Sequence, residues 1–109
     1  RIILADARFY AQRYKPEAIV ELSTLTGAVI IALGSHASGV MGTSQQLVDR
    51  LRQAGEVSGE RVWQLPLWPE YQAMVKSEIA DLKNLAGRPA GTITAGAFLA
   101  EFVGDIPFA

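Results

Sequence analysis

Apolar side chains at Ile3, Ala7, Tyr10, Ala11 and Tyr14 fall at i, i+4, i+7, i+8 and i+11. That spacing is one stripe of a helix, and Pro16 ends it. The next run, Ala18-Ile19-Val20-Glu21-Leu22, is short and rich in β-branched residues, which predicts a buried strand. Residues 27–33 predict a short helix, and Gly39-Val40-Met41 a second strand between glycines. Ser44 then stands as the cap of a helix with Leu47, Val48 and Leu51 on one face and Gly55 near its end.

Beyond Arg61 the periodicity loosens. Val62-Trp63-Gln64-Leu65 predicts an extended segment up to Pro66, and Pro69 opens a helix through Val75. Residues 79–85 read as a strand or extended loop, and Gly87-Arg88-Pro89-Ala90-Gly91 as a loop. Thr92 is the expected cap of a last helix with Ala95, Phe98, Leu99 and Phe102 on one face. Strands separated by helices predict an α/β fold with a mixed or mainly parallel sheet flanked by helices. Arg1 runs straight into Ile2-Ile3-Leu4, and Ile106-Pro107-Phe108-Ala109 opens like a strand, so the expectation is a fold incomplete at both ends.

Composition narrows the class. The 109 residues suffice for one domain burying roughly 65% of its unfolded surface. Half the residues are hydrophobic and 19% are charged, a globular balance. Net charge is −1 with no basic cluster, so nucleic acid is not an expected partner. With no cysteine, a disulfide framework, a thiolate metal site and a cysteine nucleophile are all excluded within these residues. Residues 22–48 carry no Asp, Glu, Lys or Arg, yet their apolar centre, residues 28–33, is far shorter than the ~20 residues of a membrane span.

Candidate chemistry begins at Thr24-Leu25-Thr26-Gly27, where a strand gives way to a helix, the usual ligand crevice of an open α/β sheet. A glycine there admits a ligand backbone, and free amides can hydrogen-bond it. A helix cap by Thr24 or Thr26 explains the same residues without a ligand. Asp81-Leu82-Lys83-Asn84 is a weak pattern common in solvated turns, and a structural hydrogen-bonding role is expected of Asp81 rather than a metal-binding one. His36, the single histidine, has no nucleophile at a fixed spacing beyond Ser35 and Ser38, so a serine hydrolase is unsupported. Trp63 and Trp68 are expected to cover the core or a subunit contact. Glu21, inside an apolar run, calls for a partner. Residues 87–91 lack the Lys-Ser/Thr of a phosphate loop.

Ser23-Thr24-Leu25-Thr26-Gly27-Ala28, then Ala80-Asp81-Leu82-Lys83-Asn84 leading to Thr94-Ala95-Gly96-Ala97-Phe98-Leu99, resemble in order and separation the catalytic domain of the leucyl aminopeptidase (cytosol aminopeptidase) family. The resemblance runs along residues 1–109, read as a partial catalytic domain. It implies a dinuclear-metal aminopeptidase acting on N-terminal residues of peptides, leucine-type preferred, cytoplasmic and hexameric. Two divalent ions (zinc, manganese or magnesium) are implied, held by residues before Arg1, so no metal ligand is expected here and the excerpt alone is expected to be inactive.

Residue by residue, the resemblance implies that Leu25 and Gly27 hold the substrate's peptide unit through their backbone. Thr24 and Gly27 would line the pocket for the N-terminal side chain, and Leu85 the pocket after the scissile bond. Arg1 matches the last residue of an Asn-Thr-Asp-Ala-Glu-Gly-Arg motif, a catalytic arginine expected to hold bicarbonate. A guanidinium at a helix start opposes the helix dipole, and binding an anion there supplies a reason for it. Two other readings stay open: a catalytically dead family member serving as a scaffold or interaction protein, and an unrelated small α/β binding module.

Overall fold

The computed structural model describes residues 1–84 and 86–109. Helix α1, Ile2–Ala11, is started by the Arg1 carbonyl accepting from the Ala5 amide at 2.9 Å and runs on into a 3-10 turn, Gln12–Tyr14. The helix is where the periodicity puts it, but its inward face is different. Ala5 and Arg8 are buried, whereas Ile3 is 82% and Tyr14 73% exposed. The physical reason is that the side carrying Arg8 meets Glu21 and Phe108, and this ion pair and ring contact orient the helix. The apolar stripe is left without cover among the described residues.

Residues 18–22 do not form a full strand. Ile19 makes a parallel bridge to Phe108, sustained by Ile19 N to Pro107 O, Ala109 N to Ile19 O and Glu21 N to Ala109 O at 2.8–3.0 Å. Helix α2, Ala28–Leu33, leads to strand β1, Ser38–Val40. A Cβ at Gly39 would sit 3.0 Å from Val29 and 3.7 Å from Leu33, so the glycine lets α2 lie against the strand. Helix α3, Gln45–Ser58, is capped as expected: Ser44 Oγ accepts from the Leu47 amide at 3.3 Å. It ends at Gly59, whose φ of +83° suits glycine, with Gly55 in its last turn, near the end as expected. Gly55 serves a different purpose, since a Cβ there would come 2.7 Å from the Glu60 carbonyl as the chain turns back.

Strand β2, Val62–Gln64, pairs parallel with β1, Gly39 facing Trp63. The helix α3 makes the crossover that parallel neighbours require, and Val48 seals it against Val40 and Ala109. Helix α4, Pro69–Met74, follows with Pro69 at its start. Residues 76–82 then turn back on themselves through an antiparallel bridge of Lys76 to Leu82. The fold is thus α/β with parallel pairing between helices, as the alternation predicts.

Helix α5, Gly91–Ala100, is the centre of the main core. Six consecutive residues, Thr94, Ala95, Gly96, Ala97, Phe98 and Leu99, are buried, so it has no single apolar face. A helix covered on all sides need not be amphipathic. Phe102 lies just past its end, half-buried against Phe98. Ala5, Val75, Ala97, Phe98 and Leu99 form the cluster, joined by Leu4, Leu25, Leu67, Leu82 and Ala86. Thr92 does not cap α5; the N-cap is Ala90, in the left-handed region at φ +52°. Trp63 and Trp68 are 60% and 59% exposed and, among the described residues, join neither core cluster.

Candidate functional site

The segment 22–27 leaves the parallel ladder at Glu21 and enters α2 at Gly27. It therefore lies at the carboxyl end of the short parallel ladder through Ile19 and Glu21, the end at which open α/β sheets place ligands. Leu22, Ser23 and Thr24 are exposed, and then the chain dips inward. Leu25 packs against the α5 cluster, and Thr26 Oγ1 shares a hydrogen bond of 2.9 Å with Thr92 Oγ1. Neither Thr24 nor Thr26 caps α2, whose N-cap is Gly27 without a side-chain bond.

Gly27 needs explaining because no contact among the described residues demands it. Its φ of −72° is open to any residue. A Cβ built on it meets no atom within 4 Å, so the space over it is vacant among the described residues. Gly42 is the opposite case, with a Cβ 2.4 Å from the Phe108 carbonyl. Gly42 answers to packing, and Gly27 faces open space among the described residues while its carbonyl accepts from the Ile30 amide at 3.2 Å.

Arg1 is half-buried at the N-cap of α1, and its Nη1 donates to the Asn84 carbonyl. Desolvation by burial lowers its guanidinium from the usual value. Leu82 and Ala86 rest on the same cluster as Leu25 and Leu4. Arg1, the segment around Asn84 and the loop at Leu25 are thereby gathered about one core, although widely separated in sequence. Leu85 lies outside the described residues. Thr24 is exposed and, among the described residues, its side chain makes no hydrogen bond. Asp81 is exposed, and its side chain makes no hydrogen bond among the described residues.

Two ties went unread in the sequence. Thr92 passed for a helix cap, whereas it holds Thr26. The partner of Glu21 is Arg8, thirteen positions earlier. The charge of Glu21 in an apolar run was the available signal, and Arg8 stands on α1 one turn after the buried Ala5.

Among the described residues, no group of three or more His, Cys, Asp or Glu side chains is placed to hold a metal ion. His36 borders an open groove formed by Gly34, Ser35, Ala37, Ser38 and Arg61 at the amino ends of β1 and β2, opposite the end where such sheets bind ligands. No described helix is long and apolar enough to cross a membrane.

Residues 1–109 match the catalytic domain of the cytosol aminopeptidase family. A probable cytosol aminopeptidase of Roseiflexus castenholzii is 61% identical over 109 residues, all of this chain and 22% of that protein. Its counterpart in Geobacter sulfurreducens is 62% identical over 104 residues, 95% of this chain and 21% of that protein. That of Syntrophotalea carbinolica is 60% identical over 109 residues. The chain spans about a fifth of the length of these curated relatives.

Proposed function

Because the chain belongs to the cytosol aminopeptidase family, we propose that it is one wall of the substrate cleft of a metal-dependent aminopeptidase that removes N-terminal, leucine-type residues from peptides. The observation that carries the reading is Gly27: a residue whose missing side chain meets no contact among the described residues, set where the Ile19–Glu21 ladder gives way to α2 in a matched catalytic domain. The unrelated binding module is set aside by the family membership.

In this reading the Leu25 and Gly27 main chain hydrogen-bonds the substrate's peptide unit, with Leu25 anchored by its side chain in the core. Thr24 and Gly27 line the pocket for the N-terminal side chain, and Leu85 the pocket beyond the scissile bond. Arg1, fixed by Asn84, presents further guanidinium N–H groups suited to a planar anion such as bicarbonate and to charge on the tetrahedral oxygen. Two divalent ions (zinc, manganese or magnesium) would polarise the carbonyl and activate water. The described residues do not fit such ions, which this reading assigns to carboxylates and a lysine preceding Arg1 in the intact protein. The isolated 109-residue chain is then inactive, and the intact protein is a cytoplasmic hexamer.

The test is hydrolysis of leucine p-nitroanilide by the intact protein, before and after chelation. Activity lost to chelator and restored by manganese or zinc is the expected result. No hydrolysis in any metal would leave a scaffold without chemistry.

A further inference from the structure

Arg8 is 5% exposed, on the face of α1 opposite the uncovered Ile3. Its Nε and Nη2 both reach Oε2 of Glu21, and its guanidinium lies 4.0 Å from the centre of the Phe108 ring. Burial lowers the Arg8 guanidinium from its ordinary value, and the charge and hydrogen bond of Glu21 push it partly back. The second oxygen of Glu21, Oε1, is not spent on Arg8. It accepts from Ser23 Oγ at 2.8 Å. The Glu21 amide is itself fixed, donating to the Ala109 carbonyl at 2.9 Å. One carboxylate thus joins α1 to the residue immediately before Thr24.

We propose that Arg8 and Glu21 are positioning residues for the segment 23–27, holding the loop at the angle at which it meets the peptide. The inference rests on the reading that this segment binds substrate. A buried ion pair is not needed for stability alone, since well-packed apolar residues of similar volume commonly serve as well. An apolar pair cannot accept the Ser23 hydroxyl. Beyond Glu21 the exposed Leu22, Ser23 and Thr24 have little else to set their course until Leu25 enters the core and Thr26 reaches Thr92. Glu21 is the upstream anchor of the loop, and Arg8 sets the orientation of that anchor.

The experiment uses the intact protein with leucine p-nitroanilide, measuring KM, kcat and thermal midpoint for Ser23→Ala, Ser23→Thr and the double variant Arg8→Met/Glu21→Leu. Loss of one hydrogen bond predicts a KM rise of about three- to ten-fold for Ser23→Ala and for the double variant. A kcat within about two-fold of wild type and an unlowered midpoint are expected to accompany it. Ser23→Thr, which keeps the hydroxyl, is expected to keep the wild-type KM. Unchanged KM in an active protein carrying Ser23→Ala overturns the positioning role and leaves the pair as core filling. That variant alters an exposed side chain and folds even if the double variant does not. A wild-type protein that hydrolyses nothing overturns the aminopeptidase reading, and this proposal with it.

Discussion

Thr26 and Thr92, sixty-six positions apart, share one hydrogen bond of 2.9 Å between their hydroxyls. It ties the loop that precedes α2 to the first turn of α5, and a Cβ at the neighbouring Gly91 would lie 3.6 Å from Ala28. The two helix starts are therefore in near contact, with the candidate substrate-binding backbone between α2 and the ladder. A net hydrogen bond contributes about 0.5–1.5 kcal/mol, and an orphaned half-buried hydroxyl costs somewhat more.

Thr92→Val in the intact protein is accordingly expected to destabilise by about 1–2 kcal/mol and to raise KM. The double variant Thr26→Val/Thr92→Val is expected to recover part of that stability, because neither hydroxyl is then left alone. A double-mutant cycle in urea checks this. Strict additivity of the single effects would show that the hydroxyls do not interact.

Ala90 adopts φ +52°, ψ +31° immediately before α5. A residue with a Cβ is disfavoured there by about 1–2 kcal/mol, part of which glycine would return through its looser unfolded chain. Ala90→Gly is therefore expected to stabilise the protein by roughly 0.5–1 kcal/mol. Thermal unfolding decides it, and a lowered midpoint would count against the strain.

The outer face of α1 holds Ile2, Ile3, Phe9 and Tyr10 at 53–82% exposure, and elsewhere Leu22 and Ile31 are 90% and 91% exposed. Apolar surface of that extent on a small chain promotes association. The 109-residue chain expressed alone is expected to bind a hydrophobic dye and to elute above monomer size. A dye-silent monomer on gel filtration would contradict the exposure described here.

Elements defined by local signals were legible in the sequence. Ser44 with the 47, 48, 51 spacing marked α3, and Pro69 marked α4. Facing was harder, because it depends on partners far along the chain. The stripe through Ile3 and Tyr10 is real in the pattern, yet the ion pair of Arg8 with Glu21 turns the other side of α1 inward. Thr92 shows the same thing at the site: threonine near a helix start is a sound cap signal, but α5 begins one residue earlier, at Gly91, and the Thr92 hydroxyl meets Thr26 instead. At residues 24–27 the place before a helix fitted a plain cap as well as a ligand site, and the substrate role was legible only through the family resemblance. The openness over Gly27 could be seen only once the neighbours were placed.

The most direct measurement concerns that opening. Gly27→Val in the intact protein adds a side chain where, among the described residues, a Cβ meets no atom within 4 Å beyond its chain neighbours and where φ is unstrained. The account predicts a thermal midpoint within about 2 °C of wild type, because in a protein of which this chain is about a fifth a roughly 1 kcal/mol effect moves the midpoint by no more than ~2 °C. It also predicts a kcat/KM for leucine p-nitroanilide lowered by about 100-fold or more, because the new side chain occupies the substrate's place. An unchanged kcat/KM with an unchanged midpoint would remove Gly27, and with it this loop, from the substrate cleft.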